Sequence, residues 1–138
     1  MRKLCYNAYI KFRKFWCVKM NWLNHEYLVP IILGNGKEER AFARDIKRAT
    51  GLLPYIFAEK FDFFQRFYAS CQLLPCADET IRLMSISAFL DKLEDYAFPV
   101  LIYGKDFKDF VARHAEALEE RLILCDINDA SGLLNGDK

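Results

Sequence analysis

Histidine is nearly absent from this chain: His25 and His114 are the only two in 138 residues. The spacings that organise a metal or a nucleophile are missing as well. Cys71 and Cys76 are separated by four residues rather than two, and no second pair or nearby histidine completes four zinc ligands. The five cysteines, Cys5, Cys17, Cys71, Cys76 and Cys125, are odd in number and irregular in spacing. Together with the lack of an apolar signal-peptide core, that pattern points to a reducing cytoplasm and to cysteines acting as small buried apolar residues. Apolar runs such as Ala97 to Tyr103 fall far short of the roughly 20 residues a bilayer-spanning helix needs. There is no GxSxG elbow and no GxxxxGK[ST] loop, so neither a hydrolase turn nor a Walker phosphate loop is encoded.

Acid is missing from residues 1 to 19, which hold Arg2, Lys3, Lys11, Arg13, Lys14 and Lys19. The remainder keeps 14 basic and 19 acidic residues, a net of −5 within a total of +1. A mildly acidic body argues against nucleic-acid binding, because neutralising phosphates takes a basic surface rather than a basic tail. The tail also carries Tyr6, Tyr9, Phe12, Phe15 and Trp16, but its cations and aromatics share helical sectors, unlike the clean amphipathic face of a membrane anchor. Residues 1–27 are therefore read as a basic aromatic extension whose first 19 residues are dispensable, and 28–138 as one domain. A domain near this length buries about 70% of its unfolded surface, and a composition 53% hydrophobic and 28% charged is that of a globular chain.

What is present is a rhythm. Leu28 to Leu33 is an apolar strand, Gly34-Asn35-Gly36 a tight turn, and Lys37 to Thr50 a helix with Phe42, Ile46 and Ala49 on one face and Gly51 to end it. Leu53 to Ala58 reads as a second buried strand and Phe61 to Ala69 as a short aromatic helix. Gln72 to Pro75 is a third strand, after which Asp78 caps a helix whose apolar stripe is Leu83, Ile86, Leu90, Leu93 and Ala97. Phe98 to Tyr103 is the fourth strand. Gly104-Lys105-Asp106 then turns into a helix bearing Phe107, Phe110, Val111, His114 and Leu118, with His114 half-buried and structural, and Leu122 to Cys125 is the last strand. Five apolar runs alternating with helices predict an α/β, Rossmann-like three-layer sandwich around a mostly parallel five-stranded sheet. Ligands of such sheets gather at the carboxyl ends of the strands.

At that edge, the dinucleotide fingerprint GxGxxG is only two-thirds present. Gly34 and Gly36 fit, and Glu39 stands where the third glycine belongs. A side chain there is expected to lift the helix from the sheet, and Glu38 with Glu39 to repel a pyrophosphate. The turn's free backbone N–H groups, with Lys37 beside them, instead suit a single carboxylate or phosphate oxygen. Glu59, near the place of a ribose-binding acid, and Gly104, Lys105 and Asp106 form the second set of candidates.

From Val29 onward the chain resembles the amino-terminal, pre-ATP-grasp domain of ATP-grasp carboxylate ligases, the superfamily of carbamoyl-phosphate synthase large subunits and biotin carboxylases. The likeness lies in Pro30 to Ala43, in Phe98 to Asp106, which is similar to the strand and loop written PVLIPTxDE in those proteins, and in the helix Phe110 to Leu122. Gly104-Lys105-Asp106 departs from the Pro-Thr-x-Asp turn, and Leu133 to Lys138 only loosely resembles the start of an ATP-grasp domain. The resemblance implies a substrate-side domain with no cofactor of its own and without catalytic turnover. ATP and magnesium would belong to a catalytic domain, in cis or in trans, and this chain would hold a small carboxylate or phosphate at Gly34-Asn35-Gly36. The other reading is a stand-alone flavodoxin-like module binding a small anion or nucleotide. An apolar patch fed by Phe57, Tyr103 and the Phe61 to Tyr68 segment is expected at the functional edge as a partner site.

Overall fold

The computed structural model describes residues 26–75 and 78–134. The expectations for residues 1–25, for Cys76 and for the final residues 135–138 lie outside it. Strands β1 (Leu28–Leu33), β2 (Tyr55–Ala58), β3 (Ser70–Leu73), β4 (Phe98–Tyr103) and β5 (Ile123–Asp126) form one sheet in the order β3-β2-β1-β4-β5, every pair parallel. Parallel neighbours need crossovers, and helices supply them: α1 (Lys37–Thr50), α2 (Glu79–Asp91), α3 (Lys108–Arg113), α4 (Ala115–Glu119), with α5 (Ile127–Leu134) following the last strand. No helix among the described residues is long and apolar enough to cross a membrane.

Period-two alternation divides the core into two layers. Ile32, Ile56, Val100 and Ile102 point to one face, where they meet Phe42, Ala43 and Ile46 of α1 and Ile127 and Ala130 of α5. Ile31, Leu33, Phe57 and Leu101 point to the other, against Ile86 and Leu90 of α2, Phe110 and Val111 of α3 and Leu118 of α4. β1 and β4 are buried over nearly their whole length, so both read as continuous apolar runs rather than as alternating ones.

The predicted architecture is present, and several boundaries differ for physical reasons. The aromatic segment is a single 3₁₀ stretch, Phe63–Phe67, and β3 begins two residues earlier than its apolar signal because it is a sheet edge that needs no full burial. The stripe of α2 stops at Asp91, with Leu93 reaching the core from the loop beyond it. The long helix expected after Gly104 is broken into a 3₁₀ turn (Lys105–Phe107), α3 and α4, the last two meeting at His114, where φ is −115° and ψ is 16°. The segment from Ile127 to Leu134 is a helix, with Leu133 and Leu134 packed on the core.

Candidate functional site

Strand order reverses between β1 and β4, because the chain runs outward from β1 to β3 and then returns to the other side of β1. The crevice at their carboxyl ends is thus walled by the turns after Leu33 and Tyr103. In the first turn Gly34 adopts φ 101°, the left-handed region where a side chain is strained, and its N–H donates to the Phe57 carbonyl at 2.8 Å. A Cβ on Gly34 would also press on the Phe107 ring at 3.2 Å. Gly36 is the N-cap of α1.

Glu39, in the third position of α1, is 5% exposed. Its side chain does not lift α1 from the sheet, as expected of a residue replacing the third glycine, since Phe42, Ala43 and Ile46 behind it remain buried. The side chain folds back instead, into the crevice between the two turns. A Cβ built on Gly36 would fall 2.6 Å from its Oε1, and one on Gly104 2.5 Å from its Oε2, so only glycine leaves room for the carboxylate on both sides. Burial raises the Glu39 pKa above the ordinary 4.5, the N–H groups of Glu39 and Gly36 pull the other way, and the Glu38 and Asp106 charges add to the rise. The carboxylate is therefore a protein-supplied anion at the place on a helix N-terminus where a bound phosphate would sit. Its reach back to the N-cap is half of a capping box whose other half glycine cannot provide.

The candidates named from sequence all sit on this edge, but they are not equivalent. Asn35 is turned away: its amide donates to the Lys60 carbonyl at 2.9 Å and to Gln65 Oε1 at 2.8 Å, and its oxygen accepts from Gln65 Nε2. Gln65, 1% exposed, also accepts from the Asp62 N–H at 2.7 Å, so the pair fastens the first turn to the 3₁₀ segment. Glu59 is paired with Arg82 at 3.0 Å, so its carboxylate is engaged by a guanidinium. The same guanidinium donates to the Pro75 carbonyl at 3.1 Å and lies over Phe107, tying the turns after β2 and β3 to the wall of the site. Lys37, Lys105 and Asp106 are exposed at the rim and Gly104 is buried beneath them. Glu39, Arg82, Phe107 and Gln65 were absent from the sequence-based set. A Glu three residues after an N-cap was the one available signal among them; the others depend on contacts made across the sheet.

A second charged cluster lies on the opposite face. Glu79 in the first turn of α2 accepts from Arg113 Nε at 3.0 Å, pairs also with Arg113 Nη2, and meets His114 Nε2 at 2.9 Å. The Arg113 hydrogen bond, then that of His114, lowers its pKa to about 2. This cluster clamps α2 to the α3–α4 break and gives His114 the structural role expected of it. Among the described residues, no three His, Cys, Asp or Glu side chains are grouped to hold a metal ion, and Cys71 is a free thiol. Comparison of the chain with protein-family profiles, with curated proteins and with solved structures gives no match.

Proposed function

We propose that this chain is the substrate-side domain of an ATP-grasp-type carboxylate–amine ligase, and that its crevice receives the amine. One observation carries the ligand class: a buried carboxylate, Glu39, held between Gly36 and Gly104 at the reversal of strand order. Such a group accepts hydrogen bonds and attracts an ammonium or hydroxyl ligand. It repels the small anion that the glycine turn alone suggests, and Glu38 and Asp106 strengthen that preference. The turn does not fit ATP phosphates for the same reason, so ATP and magnesium belong in this reading to a separate catalytic domain.

The role left to this domain is to hold and orient one reactant, which in favourable geometry accounts for about 7 kcal/mol or more of a barrier. An attacking amine must also lose a proton. A carboxylate whose proton affinity is raised by burial is better matched than a solvated one to take it from the ammonium, leaving the free amine and a carboxylic acid.

The test is a set of amide chemical-shift titrations of the purified chain with simple amines and amino acids on one side and with inorganic phosphate and ATP–magnesium on the other. Amines should move the signals of residues 34–39 and 103–107, Glu39→Gln should abolish that response, and no ATP should be hydrolysed. Phosphate or nucleotide shifting the same residues in the unaltered protein would favour the stand-alone anion-binding module. ATP turnover abolished by a point change in this domain would overturn the substrate-side assignment.

A further inference from the structure

The sheet has two edges, and only one of them is defended. β5 ends in Asp126, a charge on the edge, and is flanked by α4 and α5. β3, Ser70-Cys71-Gln72-Leu73, carries neither charge nor proline, the usual devices that stop an edge from pairing. The Ser70 N–H donates inward to the Pro54 carbonyl at 2.8 Å and the Leu74 N–H to the Ala58 carbonyl at 2.9 Å. By alternation the N–H and C=O groups of Cys71 and Leu73 point outward, and none of them is bonded to another described residue.

Beside this edge lies exposed aromatic surface. Phe63, Phe64 and Phe67 are 63%, 68% and 59% exposed, and Leu73 is 66% exposed. Register places Cys71 opposite Ile56 and Leu73 opposite Ala58, which puts their side chains on the α1 face of the sheet, the face against which the neighbouring Phe61 and Tyr68 pack. The expected apolar patch thus exists, but at this edge. Phe57, expected to feed it, is buried at 2% exposure.

We propose that β3 is the docking surface for a second copy of this chain, the two β3 strands pairing antiparallel about a two-fold axis normal to the sheet and centred on Gln72. In that register Cys71 of one copy lies opposite Leu73 of the other, so each outward residue trades both of its backbone hydrogen bonds across the axis. The same two-fold keeps the α1 faces on one side, so the phenylalanine clusters of the two copies flank the junction together and the contact is self-complementary. With roughly 200 Å² per aromatic side chain, the exposed rings offer about 400 Å². Leu73, Arg66 stacked on Phe63 at 4.1 Å, and the strand backbone carry the patch toward the roughly 800 Å² per partner of a stable interface.

Sedimentation of the full chain across a concentration series, with hydrogen exchange of the Cys71 and Leu73 amides, is the experiment. The unaltered chain should dimerise, and protection of those amides should rise with dimer fraction. Leu73→Lys should raise the dimer dissociation constant at least about tenfold with an unchanged circular dichroism spectrum. Phe64→Glu, on an exposed ring outside the sheet, should do the same without touching the strand. A monomer at every concentration overturns the proposal. So does a dimer that persists in both variants, and so does protection of Cys71 and Leu73 in a monomer, which would mean that another segment of the chain covers the edge.

Discussion

Glu39 and Glu79 stand in the same local setting and behave in opposite ways. Each lies in the first turn of a helix that follows a parallel strand, where the helix dipole favours a negative charge. Glu39 is buried between two glycines with Glu38 and Asp106 nearby, and its pKa is raised. Glu79 is clasped by Arg113 and His114 at the surface, and its pKa falls to about 2. Position on a helix therefore decides little here, and desolvation and neighbours decide the sign. A carboxylate paired with cations makes a clamp at the surface, whereas one held only by backbone N–H groups, with acids as its charged neighbours, stays buried with a raised proton affinity.

The largest effect should come from filling the cradle of Glu39. Gly104→Ala forces the carboxylate out of its place, and because the flexible tip of a side chain yields rather than backbone, the cost sits at the low end of the about 1–3 kcal/mol that overpacking takes. In a Glu39→Ala background the same change should cost much less, and urea denaturation of the four proteins reads the coupling. A cost that is the same in both backgrounds would remove Glu39 from the cradle.

The pH dependence sharpens the contrast next. A folded-state pKa above 4.5 means that the native protein holds the Glu39 proton more tightly than the unfolded chain does. Stability from this group thus rises as pH falls from the folded pKa toward 4.5. Glu39→Gln should accordingly be more stable than the parent at neutral pH, with the difference in Tm shrinking as pH falls through the folded pKa toward 4.5 and levelling off below it. Glu79 runs the other way: its contribution is present above pH 4.5 and is lost as pH falls from 4.5 to about 2. Glu79→Gln should be less stable than the parent at neutral pH and converge with it toward pH 2. Solvent screening keeps that effect smaller than the others, and added salt should reduce it further.

The sheet was legible in the sequence because β1 and β4 are long, doubly buried and free of polar interruption, and because Gly34 and Gly51 mark a turn and a helix end that their positive φ angles require. The short edge elements were less legible. β3 presents three half-buried residues and one exposed, so its apolar signal was displaced onto Leu74, which is buried just beyond the strand. The break at His114 is invisible to periodicity because Phe110, Val111 and Leu118 keep helical spacing across it. The glycine turn lies where the sequence put it, at the carboxyl ends of the strands, but Asn35 and Glu59 engage Gln65 and Arg82, partners 30 and 23 residues away. Spacing along the chain cannot show which of two adjacent acids folds inward. Glu38 stays exposed and Glu39 does not, because only Glu39 can face both glycines.

The most direct measurement is a carbon-detected NMR titration of the Glu39 side-chain carboxyl in the free protein and in Gly104→Ala. A carboxylate seated in the crevice predicts a midpoint above 4.5 in the parent that falls back toward 4.5 when the added methyl expels it into water. A midpoint at or below 4.5 in the parent, unmoved by the substitution, would place Glu39 in solvent and contradict a ligand site built around its charge.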